Sequence, residues 1–391
     1  MKKILLRTLG ILISVSISIS LPATAQDVTG TEISQDFYED QTGPVTYTLS
    51  LEDAISLAMT ENPQLIANDY TQNANKININ TAKSNRNSVK KSMASVPLAY
   101  SSATTIEQLC ARNGYYVTAA QVQYDLSVLE KDRIIASVSY NTTNAYYNVV
   151  LMDMLVKAAK DSYDLALKNK IVVDAQYNHG LISQIAYDNA SIAVDGARCE
   201  LEAYELNRDI AMRNLKNQLN IKPDSTVILT DTIETQEFTS DVEADVKAAM
   251  ESRYDLTGAK KTLELSVEYL DISDAFTISS AVYNTAYADY VTKEYQYKTA
   301  CEGVELAIRN EYNIIITNHS SMEIAGRTYN MKLSEYDAAK VQYDLGLITN
   351  LELTDKINEL YKSQIAYSQA KLNFRMAVEK YKYDITIGLP Q

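Results

Sequence analysis

The chain has 391 residues, 46% of them hydrophobic, and a formal net charge of −14. That apolar content excludes wholesale disorder, and 11 glycines with 6 prolines are too few for a loop-rich or sandwich fold. So acidic a surface argues against nucleic acid or an anionic membrane face as the partner.

The N-terminus reads as a secretory signal over residues 1–25. Lys2, Lys3 and Arg7 form its basic region, Ile11 to Ile19 its apolar run, and Ala23-Thr24-Ala25 its small-residue cleavage site. No cysteine follows that site, so a lipid anchor there is not expected, and removal of the segment takes three positive charges with it. Residues 26–46, with Gly30 and Gly43-Pro44, read as a flexible lead-in. Leu49 to Ala58 then opens a helix, with Ser50 as N-cap and Glu52 and Asp53 suiting the dipole of the first turn. Asn62-Pro63 interrupts it, and a second helix runs from about Gln64 to the early nineties. Residues 92–114, with Pro97, many hydroxyl side chains and Gly114, are the least regular interior stretch.

From Tyr115 to about Asn178 the pattern is helical again, a helix on the order of 90 Å long. No proline falls between Pro97 and Pro223, or between Pro223 and Pro390, so nothing breaks the two longest stretches. Only a coiled coil or a solenoid sustains helices of that length. At the end of the first stretch stands Gln176-Tyr-Asn-His-Gly-Leu-Ile-Ser183, and Gln342-Tyr-Asp-Leu-Gly-Leu-Ile-Thr349 repeats it. Gly180 and Gly346 can close a helix in the left-handed conformation, and Ser183 and Thr349 can cap the helix that follows. With a register of 166 residues the match extends from Asn144 and Tyr146 to Ala211 and Ile221, which recur as Asn310, Tyr312, Ala377 and Ile387. The chain is two copies of one helical hairpin. Between the copies, Thr226 to Thr230 is a short β-prone run. Residues 241–276 repeat the opening helix pair.

In the last helix Leu353, Ile357, Leu360, Tyr367, Phe374, Val378, Tyr381 and Ile385 fall on alternating steps of four and three, a left-handed coiled-coil seam. The expected organisation is therefore all-α, with at most short strands: residues 47–222 form the first repeat, 223–240 a connector, and 241–391 the second repeat. Because one hairpin has no partner for its seam, an elongated trimer is expected.

These residues resemble the TolC family of outer-membrane efflux channels, over about residues 47–390. The resemblance rests on Leu49-Ser-Leu-Glu-Asp-Ala-Ile55 with Asn62-Pro63, on Ala145-Tyr-Tyr-Asn148, and on the paired Gly-Leu tips. It implies a homotrimer whose twelve helices enclose a tunnel. It further implies docking of the tips, Gly180, Leu181 and Ser183 with Gly346, Leu347 and Thr349, on a periplasmic adaptor (membrane fusion) protein that works with an inner-membrane pump. A tight turn alone would account for the glycines but not for the leucines, and both readings stay open here. Acids after the second tip line the family's tunnel entrance; Glu352 and Asp355 stand there and share a helix face, while the first copy has Ala186 instead of an acid. An ordinary solvated pair is the other reading of these two carboxylates.

The family also inserts a β-hairpin into each repeat, and a membrane-spanning strand needs ~9–11 alternating residues. Neither 92–114 nor Phe276 to Tyr297 alternates in that way, and the latter reads as helix running through. A tunnel without evident barrel strands is the expectation, located in the outer membrane or periplasm and membrane-associated by means the sequence does not display.

No enzyme is expected, and no cofactor or metal: His179 and His319 stand apart, and neither a zinc motif nor a phosphate loop occurs. Cys110, Cys199 and Cys301 suggest no framework and read as small buried side chains on helices. Among the 29 tyrosines, Tyr283, Tyr287 and Tyr290, and the seven-residue series Tyr329, Tyr336 and Tyr343, lie at helical spacing and read as packing positions with hydroxyls toward water or a lumen. The rival to a channel is a coiled-coil tether or spacer of the envelope, which has no reason to keep two exposed Gly-Leu tips at one end.

Overall fold

A computed structural model describes residues 45–93, 105–235, 237–276 and 280–390. The expected signal segment, most of the lead-in, and residues 94–104 of the irregular stretch lie outside the described residues.

Each repeat begins with a short capped helix. In the first, α1 (Leu51–Met59) starts at Ser50, whose hydroxyl accepts from the Asp53 N–H while the Asp53 carboxylate accepts from the Ser50 N–H. Asn62 caps α2 (Pro63–Ser92), and Pro63 occupies the first helical position, where a missing N–H costs nothing. The second repeat starts in the same way, with Asp241 capping α6 (Val242–Ser252), followed by α7 (Tyr254–Asp274).

Two long hairpins follow. α4 (Tyr115–Asn178) and α5 (Gln184–Gln218) form the first, α8 (Ser280–Asp344) and α9 (Asn350–Asp384) the second. α5 packs on α4, α4 on α9, and α9 on α8, so the order across the body is α5–α4–α9–α8. The internal repeat is visible in the core. Thr142 and Val149 of α4 are fully buried, and so are their counterparts Ile308 and Ile315 of α8.

α9 explains why its seam is not a simple amphipathic stripe. One face, with Ile357, Phe374, Val378 and Tyr381, is buried, and Phe374, Val378 and Tyr381 join the α8 and α6 core; the other seam positions, Leu353, Leu360, Tyr367 and Ile385, are half-buried. A second face, with Tyr361 and Leu372, packs on α4 through Ala158, Ala159 and Leu151. A helix covered on two sides is apolar on two sides.

Three expectations are corrected. Thr46–Leu49 is not lead-in or helix but strand β1, which pairs in parallel with β2 (Thr226–Leu229), Tyr47 opposite Val227. Tyr146 locks this pairing: its hydroxyl donates to the Leu49 carbonyl at 3.0 Å and accepts from the Asp231 N–H at 3.1 Å. Within the irregular stretch, α3 (Ile106–Asn113) is a helix with its own Thr105–Gln108 capping box, ending at Gly114 with φ +104°. In the second repeat α7 ends at Asp274 with Ala275 as its C-cap, so helix does not run unbroken through Phe276, although α8 carries it again from Ser280. Among the described residues β1 and β2 are the only strands, and no helix is long and apolar enough to cross a membrane.

Cys110 is buried as expected, whereas Cys301 is half-buried and Cys199 exposed. His179 is exposed at the first tip, and His319 meets the Phe374 ring edge-on at 5.2 Å. Tyr329 stacks on Tyr367 with ring centroids 6.0 Å apart, and Tyr343 accepts from the Asn350 amide at 3.2 Å.

Candidate functional site

The two tips are the same device built twice. Gly180 has φ +70° and donates to the Tyr177 carbonyl at 2.8 Å, while Leu181 N–H reaches back to Gln176 at 2.9 Å. Gly346, with φ +71°, donates to Tyr343, and Leu347 to Gln342, both at 2.9 Å. This pair of bonds closes a helix around one left-handed residue, and only glycine adopts that conformation without a Cβ penalty. A Cβ would meet nothing within 4 Å at either position, so the requirement is conformational rather than steric.

The next helix starts three residues on. Ser183 accepts from the Ala186 N–H at 3.3 Å; Thr349 accepts from the Glu352 N–H at 3.3 Å, and Glu352 in return accepts from the Thr349 N–H at 2.7 Å. Glu352 thus completes a capping box that Ala186 cannot complete in the first copy. Its hydrogen bonds from Thr349, backbone first, hold its carboxyl below the usual range. Asp355 is exposed on the same helix. Of the two acids predicted to line an entrance, one is engaged in the turn and the other projects into solvent.

The turn does not use the leucines. Leu181 is 73% exposed and Leu347 71%, and Leu345, Leu351 and Ile185 are exposed beside them. Each tip therefore presents an apolar side chain that its own turn leaves uncovered.

Sequence reasoning missed what joins the hairpins near the tips. The Asn169 amide of α4 donates to the Thr354 hydroxyl of α9 at 2.9 Å and exchanges bonds with Asn350. Beside it lies a cleft of about 280 Å³ lined by Ser162, Asn169, Gly196, Glu200, Thr354 and Ile357. Within the second hairpin, Lys332 and Lys356 each bridge both Glu335 and Glu359 at 3.0–3.1 Å. The exchange at Asn169 had no local signal, because its partners lie 181 and 185 residues away.

No protein-family profile matches the chain. Toxin and drug export protein A of Aggregatibacter actinomycetemcomitans is 24% identical over 298 residues, which is 65% of this chain and 65% of that protein. Among solved structures, CusC, described with folding and transmembrane channel formation, superposes with a TM-score of 0.70 at 12% identity, covering 90% of this chain and 96% of its own. The Vibrio cholerae outer membrane protein VceC gives 0.67 at 14%, covering 87% and 97%. The Campylobacter jejuni CmeC outer membrane channel gives 0.68 at 13%, covering 87% and 86%. CmeC and CusC are described as channels, and VceC as an outer membrane protein. The resemblance read from the tips and the repeat holds across nearly the whole described body: this chain has the fold of the TolC-family outer-membrane channels.

Proposed function

We propose that the chain is one subunit of a head-to-tail trimer that forms an export tunnel in the cell envelope, with the tips docking on an adaptor protein of a tripartite efflux assembly. The observation that carries this reading is an asymmetry between the two repeats. On α9 the face containing Ile365, Leu372 and Met376 packs against α4 inside the chain. The counterparts on α5, offset by 166 residues, are Cys199, Leu206 and Ile210, and all three are exposed. They belong to a bare seam, Ile185, Asn189, Ile192, Gly196, Cys199, Ala203, Leu206 and Ile210, at steps of four and three, in which Asn189 is the single polar position.

The other edge of the body has the matching defect. α4 meets α9 through Tyr140 against Tyr383, Arg375 over the Tyr147 ring, and Ala158 against Tyr361. Their counterparts on α8 are Leu306, Asn313 and Ile324, again all exposed. A second copy can place its α8 on the bare α5 and reproduce between chains the contact that α4 and α9 make within one. Such an interface joins unlike surfaces, and repeated by rotation about one axis it closes into a ring. Three copies of two hairpins give twelve helices, as the resemblance implies.

Exposed leucines at two tips supply a docking surface that a spacer does not need. The names of the relatives, a toxin and drug export protein and several channels, support export of toxic compounds. The test is mass photometry of the purified chain, wild type against Ile192→Glu and Ile324→Glu, together with drug resistance conferred on an export-deficient host along with its adaptor and pump. Trimers lost in both variants, with loss of resistance, are expected. A stable monomer in the wild type would refute the ring, and trimers that confer no resistance would favour the tether.

A further inference from the structure

At the end of α4 opposite the first tip lies a basic cleft. Arg86 and Lys90 of α2 and Arg112 and Asn113 of α3 surround an open space of about 440 Å³. Arg86 and Lys90 are one turn apart on one helix face, and Lys83 extends the row. The whole of α4, 64 residues and about 95 Å at 1.5 Å per residue, separates the cleft from that tip.

This patch is a local exception to the acidic surface that argued against an anionic membrane face, because its charge has no carboxylate partner among the described residues. None of Lys83, Arg86, Lys90, Lys91 and Arg112 has a carboxylate within 4.0 Å among the described residues. Residues 94–104, which connect the two helices, contain no acid in their sequence. Where cations cluster elsewhere in the chain they are paired, as Lys332 and Lys356 are with Glu335 and Glu359. Helix dipoles account for a part only: the C-termini of α2 and α3 carry about half a negative charge each, against the four cations Arg86, Lys90, Lys91 and Arg112.

The guanidinium groups are also held in place. Arg86 is half-buried under the Gly114 turn, where a Cβ would stand 3.2 Å from its Cζ, and its Nε donates to the Arg112 carbonyl at 3.5 Å. Nη1 of Arg112 is buried with no hydrogen-bond partner. A buried cationic N–H without an acceptor is costly, and it leaves the rest of the Arg112 guanidinium, which lines the cleft, without a compensating charge.

We propose that this cleft binds a phosphate group, carried by a membrane lipid headgroup or free in solution. Fixed guanidinium donors beside a lysine are the chemistry that recognises phosphate. The lipid source rests on the reading above, since tips docked on an adaptor leave the opposite end to meet a membrane; the free-phosphate source does not.

The experiment uses the full chain and two probes. Inorganic phosphate is titrated calorimetrically at constant ionic strength, and flotation is measured with phosphatidylcholine vesicles with and without phosphatidylglycerol. The expected result is saturable phosphate binding, weakened at least tenfold in Arg86→Gln/Arg112→Gln and a few-fold in Lys90→Gln, whose exposed side chain leaves the fold intact. Flotation that requires phosphatidylglycerol and is lost in the same variants assigns the lipid headgroup; phosphate binding without flotation assigns the free ion. Absence of both, or binding undiminished in Lys90→Gln and in the double variant, overturns the proposal. Trimer formation, followed in parallel by mass photometry, reports on the channel reading separately.

Discussion

Glu311 offers a quantitative test of how the second repeat is held together. Its side chain, 16% exposed on α8, is bridged by Lys380 of α9, which also bonds Asp384 at 2.7 Å. Asp384 in turn accepts the Leu389 N–H at 2.9 Å, and Arg253 donates to the Asp384 carbonyl at 3.1 Å, so the cluster pins the chain beyond α9 onto the start of α7. Glu311 Oε2 is buried without a partner. Burial, and after it the neighbouring Asp384 carboxylate, outweigh Lys380 and push the Glu311 carboxyl from 4.5 up to about 7. The folded protein therefore holds a proton that the unfolded chain releases, and stability falls as pH rises from about 4.5 to 7. At 1.36 kcal/mol per pKa unit the ceiling on this effect is roughly 3 kcal/mol. Asp384, held low by Lys380 and the Leu389 N–H against its burial, contributes in the opposite sense but only at more acid pH, below its ordinary value of 3.8. Glu311→Gln keeps the shape and cannot ionise, so it should match wild type near pH 4.5 and exceed it by about 1–3 kcal/mol at pH 8. Urea unfolding at half-unit steps from pH 4.5 to 8 measures both curves. Parallel curves, or a variant weakened equally at every pH, would refute the assignment of the proton to Glu311.

At the tips, Gly180→Val and Gly346→Val should each cost at least about 1 kcal/mol through the positive φ alone, since space is free at both positions; hydrogen exchange unchanged across 176–186 and 342–352 would show the turns to be otherwise. Glu352→Gln should weaken the Thr349 cap and speed exchange at the start of α9, whereas Asp355→Asn should not, and the pair together should relax cation preference in a conducting assembly if trimer symmetry gathers them. Unchanged selectivity would return both to the solvated surface. Tyr146→Phe leaves the Leu49 carbonyl and the Asp231 N–H without their shared partner and should lower stability by about 1–3 kcal/mol, read by chemical denaturation; no change would mean that water replaces the hydroxyl.

Local events were legible in the residues beside them. Ser50, Asn62 and Thr349 cap helices where their side-chain chemistry places them, and Gly180 and Gly346 close them, because each signal acts within three or four residues. The repeat and the long proline-free runs determined the hairpins for the same reason. Which surfaces are covered depends on how the helices pack. Leu372 of α9 is buried and its counterpart Leu206 of α5 is bare, although the two lie in equivalent sequence, because α9 lies between α8 and α4, whereas α5 sits at the edge of the body with α4 on one side. Cys199 is exposed on that same bare seam, which no spacing of cysteines could indicate. Strand β1 carries no signal of its own in four residues, and it forms because β2, 180 positions later, is brought alongside, with the Tyr146 hydroxyl closing the pair. Backbone bonds between distant segments form only after the helices have packed, so a reading limited to neighbouring residues could not place them.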